Sequence, residues 1–282
     1  MIFTVLGGDF RSVYLVRRLW ADGHTVRSFG LELADIPPQC RSHSLQHATA
    51  GAQCVILPTP AADGALLRTP FGATPITIDA VAAAIPHGAR VFGGMLSLPL
   101  REALAARGLH IVDLLSIEAM AIKNAALTAQ CALQLIAEQL PCTLSGQPML
   151  ILGAGRIGKL LGLQLQAVGT QVTVASRSKT DQAWCAALGL TPADITNLVP
   201  ILPRCPTIIN TVPARILDKT LLQLLPQGAL LVELASAPGG FDGVVAESMG
   251  LQTVHGGGLP GKYAPQSAAD AIADIIYEEI KR

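Results

Sequence analysis

The sequence predicts an α/β protein with two Rossmann-like domains, each a parallel sheet with flanking helices, joined by a long helix with a cleft between them. Apolar stretches of strand length alternate with helical stretches along the whole chain, which is typical of this class. A glycine-rich turn stands between a strand and a helix in the second half. A helical pattern without Gly or Pro covers residues 116–140 and separates two series of strands.

The first series of strands precedes the long helix. Its predicted strands are residues 2–6, 25–29, 54–57, 90–92 and 109–112, and helical periodicity covers residues 10–21 and 98–107. Prolines mark the connecting loops, and residues 61–74 are expected to form an irregular segment at the carboxyl edge of the sheet. Ser116 is a candidate N-cap for the long helix, and Pro141 is expected to end it.

The second series of strands follows a polar turn that ends at Pro148. Its predicted strands are residues 149–152, 171–175, 207–210, 229–234 and 252–254, and an amphipathic final helix covers residues 265–282. We therefore expect an N-terminal Rossmann-like domain at residues 1–116, a linking helix at 117–144, a second Rossmann-like domain at 145–264, and a C-terminal helix at 265–282 that packs back on the first domain.

Composition argues against several classes of function. The 20 basic and 20 acidic residues give a net charge of zero, and aromatic residues make up 4% of the chain, so we expect no nucleic acid and no membrane surface as a partner. No apolar run reaches the length of a membrane span, and the first residues resemble a strand rather than a signal peptide. The six cysteines include no CxxC pair, which favours a reducing, cytoplasmic compartment. His43 and His47 are one helical turn apart without a third ligand, so no metal site is expected.

The glycine-rich turn has the pattern of a dinucleotide-binding unit. Gly153, Gly155 and Gly158 have the spacing GxGxxG, directly after an apolar strand and before a helix. In such a unit the glycines permit the tight turn, the approach of the pyrophosphate and the packing of the helix on the strand. Backbone N–H groups at the start of the helix bind phosphate. A glycine turn without a ligand is the alternative, but the context favours a cofactor, held by Gly153, Ala154, Gly155, Arg156, Ile157 and Gly158.

The end of the next strand predicts which dinucleotide is bound. NAD-binding units place Asp or Glu there, about 20 residues after the glycines, to bind ribose hydroxyls. This chain has Ser176, Arg177 and Ser178 instead. A carboxylate repels a 2′-phosphate, whereas these side chains donate hydrogen bonds to one. We therefore predict NADP as the cofactor, with a solvated basic turn as the alternative.

Two later strand ends are predicted to form the nicotinamide side of the site. Asn-Thr-Val-Pro ends one strand, and a segment rich in Gly and Pro ends the next. Ordinary turns are the alternative interpretation of both segments. The residues assigned to the cofactor here are Asn210, Thr211, Val212, Pro213 and Ala235.

The first domain carries most of the candidate groups for a substrate. Gly-Gly-Asp-x-Arg follows its first strand, and an arginine near the start of a helix suits a small carboxylate. Asp9 also fits a simple helix N-cap, and the two roles are compatible. The residues assigned to substrate binding are Arg11, Asp9, Thr59 and Lys262.

Three further residues are candidates for catalysis. His255 follows the last strand in a glycine-rich loop and is a candidate proton acceptor, although a lone loop histidine more often has no chemical role. On the long helix, Thr128 lies one turn after Asn124 and shares its face. Lys123 lies beside that face, and a solvated surface lysine is the alternative interpretation.

Together these segments resemble a known family. The motifs GGDxR, ILPTP, AIKNA, LGAGRIG, ASRS, INTVP, LASAPGG and GLPGKYAPQSAA occur in this order over essentially the whole chain, which is similar to the A subunit of dipicolinate synthase. The resemblance implies NADP, a small cyclic dicarboxylate substrate and, as partner, the B subunit of the same enzyme. It also implies oxidation of a dihydrodipicolinate-type intermediate to the spore component dipicolinate, in the cytoplasm of the mother cell of a spore-forming bacterium.

One motif departs from the family pattern, and other functions fit the same sequence. The family usually has Pro-Thr-Ala-Glu-Gly where this chain has Leu-Thr-Ala-Gln-Cys, so Gln130 supplies no anion at that position. Another two-domain NAD(P)-dependent dehydrogenase of a 2-hydroxy or amino acid is one alternative. A non-catalytic NADP-binding protein that regulates or scaffolds its partner is the other. The sequence is also compatible with a homo-oligomer.

Overall fold

Strands and helices alternate along the chain from the first residues onward. The structure is a computed structural model, and residues 1–281 are described. The chain divides into two units: Met1–Asn124 together with the segment that begins at Pro260 form the first, and Ala125–Leu259 form the second. No helix within residues 1–281 is long and apolar enough to cross a membrane.

The first unit is built around a parallel sheet. Its elements before the long helix are β1 (Ile2–Leu6), α1 (Phe10–Ala21), β2 (Thr25–Phe29), α2 (Leu45–Thr49), β3 (Cys54–Ile56), β4 (Ala62–Asp63), β5 (Leu66–Leu67), α3 (Ile78–Ala84), β6 (Arg90–Gly93), α4 (Leu98–Ala105) and β7 (His110–Asp113). Five strands pair in parallel in the order β2-β1-β3-β6-β7, so the chain reverses its direction of winding at β1 and β3. Within β1, Phe3 and Val5 belong to one apolar cluster and Leu6 to another, as the alternation of side chains across a strand requires.

The long helix α5 (Glu118–Gln139) begins later than the sequence predicts. Residues Leu114–Ser116 form a short 3₁₀ helix, for which the Asp113 carboxylate accepts the backbone N–H of Leu115 at 3.1 Å. The prediction of Ser116 as the N-cap of α5 is therefore wrong. The division between the two units falls within α5, after Asn124.

The second unit contains a six-stranded parallel sheet. Its elements are β8 (Pro148–Leu152), α6 (Arg156–Ala167), β9 (Gln171–Ser176), α7 (Lys179–Ala187), β10 (Thr191–Asp194), β11 (Thr207–Asn210), α8 (Lys219–Leu222), β12 (Leu230–Glu233), α9 (Gly243–Ser248) and β13 (Gln252–His255). The strand order is β10-β9-β8-β11-β12-β13, that of two mononucleotide-binding halves that meet at β8 and β11. The predicted α/β fold with two Rossmann-like domains is confirmed.

The chain ends with α10 (Leu259–Tyr263) and α11 (Pro265–Lys281). Helix α11 packs on α1, where Ile276 and Leu19 are fully buried in the cluster that also holds Phe3. At the edge of this contact the Tyr277 hydroxyl donates to the Asp22 carboxylate at 2.7 Å. Burial opposes ionisation of Asp22, but the hydrogen bonds from Tyr277 and Arg18 outweigh it, so the pKa of Asp22 lies below its ordinary value.

Among the strands, β4, β5 and β10 were not predicted from the sequence. Residues 61–74, expected to be irregular, contain the antiparallel pair β4 and β5. The edge strand β10 was missed because it contains Pro192, and proline argues against a strand except at a sheet edge, where β10 lies.

Truncation of Ile276 to alanine should destabilise the first unit. The side chain is fully buried between α11 and α1, so its loss removes apolar contacts and leaves a cavity. We expect the free energy of unfolding to fall by about 2–5 kcal/mol in urea denaturation. The matched control is Glu278→Ala, two residues along the same helix and exposed, which should change the free energy by less than about 0.5 kcal/mol. Equal effects of the two substitutions would contradict this account of the α11 contact.

Candidate functional site

The turn after β8 depends on three positions without side chains. Gly153 has φ of +103°, and a Cβ there would lie 2.8 Å from Val212 Cγ2. A Cβ on Gly158, in the first turn of α6, would collide with the carbonyl oxygen of Gly153. A Cβ on Gly155 would have no atom within 4 Å, so this glycine borders open space. The three glycines thus have the roles that the sequence pattern predicts: a tight turn, an open approach and close helix packing.

The start of α6 presents backbone donors that its cap does not use. Gly155 is the N-cap and has no side chain to accept from the first-turn N–H groups, which include those of Ile157 and Gly158. These N–H groups and the positive end of the helix dipole suit a pyrophosphate. The open space beside Gly155 and the backbone N–H donors at the start of α6 therefore fit a dinucleotide.

The glycine turn borders a cavity of about 310 Å³. Loops at the carboxyl ends of three neighbouring strands, β8, β9 and β11, form most of its lining, which is where open α/β sheets bind ligands. The structure thereby brings together much of the predicted cofactor set, namely Gly153, Ala154, Gly155, Ser176, Arg177, Ser178, Thr211, Val212 and Pro213.

The loop after β9 is shaped by its two serines. The buried Ser176 Oγ accepts the backbone N–H of Ser178 at 3.1 Å, and Ser178 Oγ accepts the backbone N–H of Asp181 at 3.1 Å as the N-cap of α7. Both hydroxyls therefore hold the turn that presents Arg177. The Arg177 side chain is exposed and makes no hydrogen bond or ion pair within residues 1–281.

A buried polar cluster joins the ends of β11 and β12. Asn210 is fully buried, and its Nδ2 donates to the Glu233 carboxylate at 2.7 Å and to the carbonyl of Val212 at 2.8 Å. Glu233, 5% exposed, also accepts the backbone N–H groups of Ala235 at 2.9 Å and Gly240 at 2.7 Å. One carboxylate thus fixes the loop 234–240 and, through Asn210, the loop 211–213.

Sequence reasoning assigned Asn210 and Ala235 to the cofactor but missed Glu233. In the structure the Asn210 side-chain amide donates hydrogen bonds within the protein, to Glu233 and to the carbonyl of Val212. The available signal was a glutamate at the end of the apolar strand β12, because a charged residue in a buried strand needs several partners. Close packing leaves little room around it: a Cβ on Gly239 would lie 2.7 Å from Glu233 Oε2.

In the first unit, Arg11, Asp9 and Thr59 lie together. Asp9 is the N-cap of α1, and its carboxylate accepts from Arg11 Nε at 2.9 Å and from Nη2 at 2.8 Å. Arg11 Nη2 also donates to the carbonyl of Thr59. Arg11 is 8% exposed and lines a small cavity of about 10 Å³, about the space of one water. Its other terminal nitrogen, Nη1, makes no hydrogen bond within residues 1–281.

The segment that carries Lys262 lies against this cluster. A Cβ on Gly261 would lie 2.7 Å from Asp9 Oδ2 and 3.0 Å from Arg11 Nε. Lys262 is the next residue; it is exposed, and its Nζ stands 4.8 Å from the centre of the Tyr263 ring. The structure therefore groups all four predicted substrate residues in the first unit.

The glycines of the first unit are covered by its own chain. The backbone N–H of Gly8 donates to the carbonyl of Arg68 at 2.8 Å. A Cβ on Gly7 would lie 2.6 Å from Thr69 Cγ2. Residues 67–69 thus lie against both glycines of this turn and use the N–H group of Gly8.

The three predicted catalytic residues have different surroundings. His255 is exposed and is the last residue of β13, so its predicted position in the following loop is wrong by one residue. Thr128 is buried in α5, two residues before the exposed Gln130. Lys123 Nζ lies 3.1 Å from the Asp274 carboxylate, and this ion pair favours a structural role. Within residues 1–281, no group of three His, Cys, Asp or Glu is arranged to hold a metal ion.

Two family models match successive parts of the chain. Residues 2–115 match the N-terminal domain of the dipicolinate synthase A subunit. Residues 124–239 match the NAD binding domain of the D-isomer specific 2-hydroxyacid dehydrogenases, and this part contains the glycine turn and both later strand-end loops. The second unit is therefore a nicotinamide dinucleotide-binding domain of the dehydrogenase kind, which supports an oxidoreductase.

Relatives match nearly the whole chain. The dipicolinate synthase A subunit of Bacillus subtilis (strain 168) is 27% identical over 280 residues, which are 97% of this chain and 93% of that protein. A crystal structure of the Bacillus subtilis A subunit is 26% identical and has a TM-score of 0.87, covering 100% of this chain and 96% of that one. The crystal structure of the A subunit from Bacillus halodurans, 24% identical, has a TM-score of 0.89 and covers 100% and 98% of the two chains.

Replacement of Glu233 by glutamine should loosen the loop after β12. Two N–H donors share Glu233 Oε1 and one donates to Oε2, so in either orientation the new amide nitrogen faces a donor and at least one hydrogen bond is lost. We expect the free energy of unfolding to fall by about 1–3 kcal/mol and the backbone N–H groups of Ala235 and Gly240 to lose protection from hydrogen exchange. Glu247→Gln, an exposed glutamate of the same unit, is the control and should leave both measurements unchanged. Unaltered protection of Gly240 in the Glu233 variant would rule out the role assigned to this carboxylate.

Proposed function

We propose that the chain is a dipicolinate synthase A subunit, which oxidises a dihydrodipicolinate-type intermediate to dipicolinate, with NADP as the acceptor, during sporulation. The observation that carries the proposal is the nucleotide cavity beside Gly155, which lies in a chain matched over 97% of its length by the A subunit of a dipicolinate synthase. The proposed setting is the mother-cell cytoplasm of a spore-forming bacterium, where the B subunit of the same enzyme is the proposed partner.

NADP is the proposed dinucleotide because of the loop after β9. Ser176 stands where NAD-binding units have a carboxylate, and Arg177 is an exposed cation without a partner in residues 1–281. Arginine matches phosphate geometry and stays charged, so it is suited to a 2′-phosphate. When bound, NADP accepts a hydride from the substrate. The glycine turn holds its pyrophosphate, and the loops fixed by Asn210 and Glu233 border its nicotinamide half.

A dicarboxylate substrate is supported by two cations of the first unit. Arg11 keeps Nη1 unbonded while Asp9 holds the rest of the guanidinium in one orientation. Lys262 is exposed and follows Gly261, which lies against Arg11. We propose that these two side chains bind the two carboxylates and that the hydroxyls of Thr59 and Thr128 orient the ring.

The oxidation removes two hydrogens from the ring. One C–H bond breaks and its electron pair leaves as the hydride, while a second hydrogen leaves as a proton, and the ring becomes aromatic. We propose His255 as the proton acceptor, because its imidazole is exposed at the carboxyl end of β13 and a histidine can take up a proton near neutral pH. Lys123 is a weaker candidate, since its ammonium is held by Asp274.

The purified chain should produce NADPH from the product of the preceding synthase reaction, with or without its partner. The measurement is the absorbance of NADPH, together with identification of dipicolinate as the product. The Arg11→Ala variant should lose most of this activity because it removes a carboxylate ligand, whereas Arg17→Ala, on the exposed face of α1, should retain it.

Three results would contradict the proposal in different ways. Undiminished turnover by Arg11→Ala would remove Arg11 from the scheme. Turnover of a 2-hydroxy or amino acid in place of the dihydropyridine would favour a different dehydrogenase, as the match to the 2-hydroxyacid dehydrogenase domain allows. Binding of NADP without turnover of the dihydropyridine, of 2-hydroxy acids or of amino acids would favour a non-catalytic role.

Removal of the Arg177 side chain should weaken NADP binding selectively. We expect the Kd for NADPH to rise by roughly tenfold to a hundredfold, the contribution of a charge-assisted hydrogen bond, and the Kd for NADH to change by about twofold or less. The measurement is a fluorescence titration of Arg177→Ala with each nucleotide. Arg204→Ala, another exposed arginine of the second unit, is the matched control. Equal losses for the two nucleotides would count against the 2′-phosphate role.

A further inference from the structure

A carboxylate stands on the wall of the nucleotide cavity, close to the proposed phosphate-binding loop. Asp181 lines this cavity together with Ser176, Arg177 and Ser178. Its backbone N–H donates to Ser178 Oγ, so the aspartate is attached to the loop by one hydrogen bond. A carboxylate at this place repels a 2′-phosphate, which carries a charge near −2 at neutral pH. The proposed preference for NADP therefore requires that this charge be neutralised.

Lys159 supplies the neutralising charge. It follows Gly158 in α6, and its Nζ lies 2.7 Å from Asp181 Oδ1. The two side chains are 27% and 36% exposed, so solvent screens the pair less than a fully exposed one. The packing of α6 allowed by Gly158 thus brings the lysine to the first turn of α7.

We infer that Lys159 is a specificity-determining residue: by pairing with Asp181 it leaves Arg177 as the net positive charge of the cavity wall and so sets the preference for NADP over NAD. This inference rests on the proposed function, because it concerns the same nucleotide site. Among the cavity-lining residues in the described part of the chain, Arg177 and Asp181 are the charged ones. With Lys159 present, the three charges sum to +1; without it they sum to zero. NAD has a neutral hydroxyl at the same position, so its binding depends much less on this sum.

Lys159 could favour NADP in two ways, by neutralising Asp181 or by binding the phosphate directly. The two roles predict different effects of losing Lys159. If Lys159 acts by neutralising Asp181, its loss is harmless once the aspartate is also uncharged. If Lys159 itself binds the phosphate, the effect of its loss persists in that background. A double-mutant cycle of Lys159→Ala and Asp181→Asn separates the two.

The experiment measures the Kd of the full chain for NADPH and for NADH by fluorescence titration, and uses the ratio of Kd(NADH) to Kd(NADPH). Lys159→Ala should lower this ratio about tenfold, the effect of one uncompensated charge at the dielectric of a protein surface. Asp181→Asn should raise the ratio, and the double variant should return it to within about threefold of wild type. An unchanged Kd for NADH shows that each variant keeps its fold.

The control is Lys179→Ala, which removes the same charge from a lysine that pairs with Asp194 at 3.2 Å, outside the cavity lining. This variant should leave the ratio within about twofold of wild type. A double variant as impaired as Lys159→Ala would overturn the inference and leave the proposed cofactor standing. A wild-type ratio below one would overturn the proposed cofactor and the inference with it.

Discussion

The carbonyl oxygen of Gly153 and the bare Cα of Gly158 meet where β8 passes into α6, and the nucleotide site of the second unit depends on that approach. A side chain at Gly158 would collide with the carbonyl and push the helix from the strand. The start of α6, with its uncapped N–H groups, would then leave the edge of the cavity. The same approach sets the position of Lys159, the next residue, beside Asp181. The absence of a side chain at Gly158 allows α6 to pack closely on β8. This packing positions both the backbone N–H donors of α6 and the Lys159–Asp181 pair.

In the first unit, a similar glycine turn after β1 is covered by residues of its own chain. Its glycines follow β1 as Gly153 follows β8, yet the N–H of Gly8 is already bonded to the carbonyl of Arg68. A satisfied backbone donor has nothing to offer a phosphate, because each N–H makes one strong hydrogen bond. The polar groups left for a ligand are side chains, chiefly Arg11 with its partner Asp9. The turns after β8 and β1 therefore present different polar groups: backbone N–H groups in the second unit and side-chain charges in the first.

Much of the fold was predictable because its signals are local. Strands β1, β2 and β11 and helix α1 have the predicted bounds, and most other core strands differ by one residue at an end. Apolar runs, glycine turns and proline boundaries act within a few residues, so the elements that they predict depend little on distant parts of the chain. The exceptions are informative: β10 carries a proline that only an edge position tolerates, and the hairpin β4–β5 forms from a segment with no clear periodicity.

The amino-acid sequence by itself determined the α/β class, the glycine turn and the basic loop at Arg177, since each depends on neighbours within one strand-turn-helix unit. Tertiary structure alone decided which side chains are free and which are already bonded. It joined Arg11 to the carbonyl of Thr59, Lys123 to Asp274, and Glu233 to Asn210, partners 48, 151 and 23 residues apart. Such pairs form because parallel strands bring distant strand ends to one edge and helices distant in sequence pack side by side, and no periodic pattern in the chain records which residues will meet.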